Sequence, residues 1–144
     1  MAGPVAYLDS SAFVKLIVAE PESESLRRAL ARWPQRASSV LLRAETIRAL
    51  RRSGNERHLP AARRLLRAVR MIRIDEPLLD RAADLEPGEL RTLDAIHLAS
   101  ALELGLDLGV LLAYDVRLKA AAQAYGLIAE SPGLPEPGTT SPDS

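Results

Sequence analysis

Four acids stand at places where a folded chain seldom tolerates one. Asp9 closes the apolar run Val5-Ala6-Tyr7-Leu8, and Asp115 closes Val110-Leu111-Leu112-Ala113-Tyr114. Asp94 sits between Leu93 and Ala95-Ile96 in the most apolar helical stretch of the chain, and Glu45 lies one position from the inward side of its own. Carboxylates are rarely buried unless they are paired or bind a cation. Each of these has an ordinary use: Asp9 and Asp115 as helix N-caps, Asp94 as a first-turn acid favoured by the helix dipole, Glu45 as a partner for Arg48 three residues on. As a set they pose a harder problem. Two strand-end acids of a parallel sheet point into one crevice, and an acid at a helix N-terminus can reach it. Carboxylates gathered there repel one another, and a divalent cation is the simple means of neutralising them. The chain has no cysteine and only His58 and His97 as imidazoles, which excludes thiolate, iron–sulfur and multi-histidine metal sites. Oxygen donors point instead to magnesium or manganese.

The elements that must carry these acids follow from periodicity and punctuation. Val5–Leu8 reads as a strand, followed at once by a helix through Phe13, Leu16 and Ile17. Pro21 breaks it, and residues 22–33 form a second helix that Pro34 stops. Residues 37–39 are a short strand, 40–52 a helix ended by Ser53-Gly54-Asn55, and 59–70 a basic amphipathic helix. Residues 71–74 read as a strand, and 77–85 as a helix started by Asp75 or Glu76. Thr92 has the character of an N-cap for a helix over 93–104. Residues 110–114 form a buried strand, 116–125 a helix closed by Gly126, and 127–129 a last strand. Strands alternating with helices predict an α/β fold, a three-layer α/β/α domain with a central, mainly parallel sheet. In such sheets function collects at the carboxyl ends of the strands, where Asp9 and Asp115 fall.

Length and composition bound the answer. The 144 residues suit one domain, and 47% hydrophobic with 26% charged residues is ordinary for a globular chain. No 18-residue stretch is free of charge, so no membrane span is expected, and Met1 to Leu8 shows no secretory signal; the expected location is cytoplasmic. Residues 1–130 read as the domain. Residues 131–144, with Pro132, Pro135, Pro137 and Pro142 among Gly, Ser and Thr, read as a disordered tail. Net charge is zero but uneven: residues 43–73 hold ten arginines against two acids, whereas 74–144 carry a net of −9. Such a segment can bind phosphates, or serve as a solvated helix face in a chain with 17 Arg and 2 Lys. Arg51 and Arg52 are the candidate RNA-binding pair within it.

Read in order, Tyr7-Leu8-Asp9-Ser10-Ser11-Ala12, Arg43-Ala44-Glu45, Leu93-Asp94-Ala95-Ile96-His97-Leu98-Ala99-Ser100-Ala101 and Tyr114-Asp115-Val116-Arg117-Leu118 resemble the PIN-domain nucleases, and more narrowly the VapC toxins of bacterial type II toxin–antitoxin pairs. The resemblance covers about residues 4–129. One departure is Ala113, where many relatives carry Thr or Ser two residues before the last Asp. The resemblance implies an endoribonuclease dependent on magnesium, or manganese, in which Asp9 and Asp94 match the principal metal ligands and Glu45 and Asp115 the remaining acids of the site. It also implies a VapB-like antitoxin as partner, a homodimer, and an RNA substrate such as a transfer RNA. A metal would polarise the phosphodiester and supply hydroxide at neutral pH. Attack by water predicts 5′-phosphate and 3′-hydroxyl ends.

Around these acids, Ser11 reads as a helix-start serine able to reach Asp9, and His97 as a packed helix-face histidine rather than a general base. Phe13 and Trp33 read as core or partner-facing, and so few aromatics leave base stacking a minor part of recognition. Two other functions are compatible with parts of the sequence. One is a catalytically silent PIN-like module that binds protein or RNA. The other is an Asp9-dependent phosphatase, disfavoured because Ser11 stands where a second Asp is usual.

Overall fold

The computed structural model describes residues 3–136. Five strands, β1 (Val5–Leu8), β2 (Gln35–Ser39), β3 (Arg70–Ile72), β4 (Leu108–Leu112) and β5 (Ala129–Glu130), form one sheet in the order β3-β2-β1-β4-β5. Every pairing is parallel. Seven α-helices flank it: α1 (Ser10–Val14), α2 (Ser23–Leu30), α3 (Leu42–Arg52), α4 (Leu59–Arg67), α5 (Glu76–Asp84), α6 (Thr92–Glu103) and α7 (Val116–Ala124). The predicted α/β/α fold is the one observed, and the sheet is wholly parallel.

The sheet needs no polar face because both faces are covered. Val5 and Tyr7 of β1, with Leu111 and Ala113, pack under α5, α6 and α7 through Leu78, Leu98 and Leu118. The alternate residues Ala6, Leu8, Val110 and Leu112 pack against Ala12, Leu26 and Leu30 on the other side. Phe13, Leu42 and Leu66 tie α1, α3 and α4 together beside them. Helix α6 is buried along residues 95–101 on all sides, as expected of a helix that is apolar all round.

Where β1 meets β4 the register steps by one residue. Val5 pairs with Leu108 and Ala6 with Val110, which leaves Gly109 unpaired. A Cβ at Gly109 would overlap the Trp33 ring and the Gly3 carbonyl, so this strand accepts only glycine there. Trp33, expected as core or partner-facing, packs half-buried in the second cluster, and Phe13 is core.

Several boundaries differ from the sequence reading. Helix α1 is five residues long and continues only as tight turns, with Leu16 N–H on the Phe13 carbonyl (3.0 Å) and Ile17 N–H on that of Val14 (3.0 Å). Thr92 is the first residue of α6, not its cap. Arg91 occupies the cap position with extended backbone, and no side chain caps the helix. Asp75 does cap α5, accepting from Leu78 N–H at 3.0 Å. Gly126, at φ 82°, ends α7 as expected: Leu127 N–H reaches the Ala122 carbonyl (3.0 Å) and Gly126 N–H that of Gln123 (2.9 Å).

Residues 131–136, assigned from sequence to a disordered tail, lie against the domain. Ser131 is buried and donates to the Ala113 carbonyl (2.5 Å), and the Tyr114 hydroxyl donates to the Pro132 carbonyl (2.7 Å). Residues 137–144 of that tail lie outside the described residues.

Candidate functional site

Sheet order places β2 on one side of β1 and β4 on the other, so the chain reverses direction across the sheet between β1 and β4. The carboxyl ends of strands flanking such a switch open into a crevice. Asp9 and Asp115 follow the two flanking strands.

Asp9 has extended backbone and is 3% exposed. It caps α1, its Oδ1 accepting from Ala12 N–H at 2.9 Å. The Ser11 hydroxyl donates to the same carboxylate, 2.7 Å from Oδ1 and 2.8 Å from Oδ2. Ser11 Oγ also accepts from Tyr114 N–H at 3.0 Å, which stitches the end of β1 to the segment leading into Asp115. Asp115 stands three residues beyond β4 and caps α7. Its Oδ1 alone accepts from Arg117 N–H (2.9 Å) and Leu118 N–H (3.0 Å). Both N-cap roles allowed by the sequence are thus occupied, and both caps aim a carboxylate at the switch point.

Asp94 lies half-buried in the first turn of α6. Glu45 does not pair with Arg48. Its Oε1 meets His97 Nε2 at 2.7 Å, and its Oε2 accepts from the Ser10 hydroxyl at 3.4 Å. His97, one turn after Asp94 on α6, is buried, and its other nitrogen lies 2.7 Å from the Tyr7 hydroxyl. The reading of His97 as a packed histidine is correct about its burial, but the residue also touches the site. In the sequence Tyr7 belongs to an apolar run and opens a motif, with no role of its own; the one signal that could have flagged it is that a buried tyrosine hydroxyl needs a partner.

Asp94 couples electrostatically to each of the other three acids. Burial pushes Asp9 up to about 6, against the opposing Ala12 N–H and Ser11 hydroxyl, and the Asp94 charge raises it further. Asp94 is also raised, by burial first, then by Asp115 and, less strongly, Glu45. Among the described residues no Lys or Arg forms an ion pair with any of the four. Nor, among them, are three Asp, Glu or His side chains drawn together closely enough to enclose an ion as they stand. The donor set is nevertheless suited to a hard cation: it is made of carboxylate oxygens that raise one another, with Arg91 opposing this at Asp94 only in part.

An open cleft of about 800 Å³ is lined by Glu45 and Asp115 of the four acids, with Ser11, Tyr114, Arg48 and Arg52; Asp9 and Asp94 do not line it. The two arginines are one turn apart on α3. Arg51, the other candidate from sequence, is exposed and does not line the cleft. Lys15, at the same rim, is held by Glu20 (2.5 Å) and Glu22 (3.0 Å) over the Tyr114 ring.

A family profile described as the PIN domain matches residues 6–124. The match spans β1 through α7 and so includes all four carboxylates. This chain belongs to the PIN-domain family. Within it the curated relatives are ribonucleases named VapC. Ribonuclease VapC46 of Mycobacterium tuberculosis is 52% identical over 126 residues, covering 88% of this chain and 96% of the relative. Ribonuclease VapC47 of the same species is 36% identical with the same coverage. Two solved structures share the fold of this PIN domain. A toxin–antitoxin complex from Klebsiella pneumoniae superposes with a TM-score of 0.64 at 24% identity, over 80% of this chain and 90% of that one. VapC20 of M. tuberculosis, described as a sarcin–ricin loop cleaving toxin, superposes with a TM-score of 0.68 at 21% identity, over 85% of this chain and 96% of that one. No helix among the described residues of the PIN domain is long and apolar enough to cross a membrane.

Proposed function

We propose that this PIN domain is a divalent-metal-dependent endoribonuclease and the toxin of a type II toxin–antitoxin pair. The observation that supports the reading is the electrostatic coupling of Asp94 to Asp9, Glu45 and Asp115, two of which cap helices at the strand-order switch. Asp9 and Asp94 would hold magnesium or manganese, with Glu45 and Asp115 completing the acidic shell. When bound, such an ion polarises a phosphodiester and lowers the pKa of a water ligand. The chain's own residues do the rest. Ser11 fixes the Asp9 carboxylate by a short hydrogen bond. The cap on α7 directs Asp115, and His97 and Ser10 hold Glu45. Arg48 and Arg52 line the cleft beside the acids and would grip the flanking phosphates of the strand. The ends produced would be 5′-phosphate and 3′-hydroxyl.

The relatives' names favour RNA as substrate, a structured RNA such as a transfer RNA being the expected class. A small VapB-like antitoxin bringing an arginine to the carboxylates, a homodimer and a cytoplasmic location belong to the same proposal. The silent-module reading finds no support in a site with all four acids present. The phosphatase reading is disfavoured because Ser11 is spent on Asp9 and Tyr114. The test is cleavage of structured RNA by the purified chain with magnesium or manganese, and its loss in excess EDTA and in Asp94→Asn. Undiminished cleavage in EDTA would refute the metal-dependent reading.

A further inference from the structure

The chain Tyr7–His97–Glu45 joins three elements that carry acids of the site. Tyr7 lies on β1, two residues before Asp9. His97 lies on α6, one turn after Asp94. Glu45 projects from α3. Both nitrogens of a buried imidazole need partners, and His97 finds one at 2.7 Å on either side. The order of donors follows from the fixed end. The Ser39 N–H donates to the Tyr7 hydroxyl at 3.1 Å. Tyr7 is fully buried, and a phenol hydroxyl both donates and accepts. A carboxylate only accepts, so the hydrogen between His97 Nε2 and Glu45 Oε1 belongs to Nε2, which leaves Nδ1 to accept from the Tyr7 hydroxyl.

We propose that Tyr7 and His97 form a buried positioning relay that holds the Glu45 carboxylate in the crevice, with His97 donating from Nε2 and Tyr7 fixing its tautomer. The physical need is plain. A glutamate on a helix has three side-chain torsions, and freezing them costs rotamer entropy. Glu45 lacks the cap geometry that orients Asp9 and Asp115, and its contact to Ser10 is long at 3.4 Å. The His97 contact is short and comes from a ring that cannot turn without stranding a buried nitrogen. A rigid sheet thus sets the aim of a flexible side chain, and the three acid-bearing elements are held in mutual register.

The inference deepens the proposed nuclease reading, on which only its activity arm rests. Two substitutions separate the two sides of the ring. The His97→Gln amide reaches where Nε2 stands and preserves a donor toward Glu45, whereas the shorter His97→Asn amide reaches only where Nδ1 stands. The first readout needs neither metal nor RNA: the carboxyl ¹³C resonance of Glu45, assigned by its absence in Glu45→Gln. It should move toward that of an exposed glutamate in His97→Asn and return in His97→Gln. If His97→Asn does not fold, Tyr7→Phe, which keeps the ring but frees its tautomer, takes its place on the same resonance. In the cleavage assay, His97→Asn should lower kcat by on the order of ten- to a hundredfold with KM for RNA little changed, His97→Gln should recover most of it, and neither should matter further in Glu45→Gln. A Glu45 resonance unmoved in His97→Asn, or kcat losses that multiply with Glu45→Gln, would overturn the relay. A resonance that responds as described in a protein that cleaves no RNA would uphold the relay and refute the nuclease reading.

Discussion

Replacing Asp9 by Asn tests whether this carboxylate is a burden on the fold carried for function or a cap that stabilises it. Asp9 is buried and raised from 3.8 to about 6, by burial first and with Asp94 adding to it. For a carboxyl raised on folding, the native state binds the proton more tightly. The stability it contributes is whole below pH 3.8 and is lost as pH rises through 6. About two units at 1.36 kcal/mol each amounts to roughly 3 kcal/mol of destabilisation of the metal-free fold at pH 8. Asn removes the charge and keeps an oxygen for the Ala12 N–H, and Asn is as good an N-cap as Asp. Its amide must find an acceptor, for which Ser11 Oγ is in place, so the expected net gain is about 1–3 kcal/mol. Thermal melting in EDTA should show Asp9→Asn melting several degrees above the parent at pH 8, with the difference shrinking toward zero near pH 4. Magnesium at pH 8 should raise the parent's melting temperature by mass action and the variant's much less. A variant less stable than the parent by the same amount at both pH values would show that the Asp9 charge stabilises the fold, and the crowded-carboxylate argument would be wrong.

Three further outcomes are expected. Log affinity for RNA should fall linearly with log salt, and Arg48→Ala with Arg52→Ala should reduce that slope by about 1–2, whereas Arg51→Ala, outside the cleft, should change it less; filter binding from low to moderate salt reads both. Gly109→Ala should lower the urea midpoint by an amount equivalent to about 1–3 kcal/mol, because the added methyl would overlap the Trp33 ring on one side and a backbone carbonyl on the other. Thr46, on the buried face of α3, has a hydroxyl with no hydrogen-bond partner, so Thr46→Val should leave the urea midpoint unchanged or raise it by about 1 kcal/mol equivalent.

The sequence by itself determined the strand–helix alternation and a mainly parallel sheet, and it singled out four acids as candidates. These are legible because each rests on local physics. A strand covered on both faces must be apolar throughout, as Val5–Leu8 is. An acid that ends such a run has few uses, as Asp9 and Asp115 show. What only the tertiary structure decided are the pairings between segments distant in sequence. Glu45 has Arg48 close by on its own helix, yet it turns to His97, 52 residues away, because a buried imidazole must be satisfied and an exposed guanidinium need not be. Tyr7 looks like filler until His97, 90 residues on, receives its hydroxyl. The choice of Arg52 over Arg51 depends on which face of α3 meets the cleft, which periodicity leaves open on a helix with arginines all around its polar side. Residues 131–136 carry the composition of a tail, yet they dock because the Tyr114 hydroxyl and the Ala113 carbonyl at the end of β4 offer hydrogen bonds to them. Periodicity reports which side of an element is buried, but the partner across the interface is set by the packing of the whole chain.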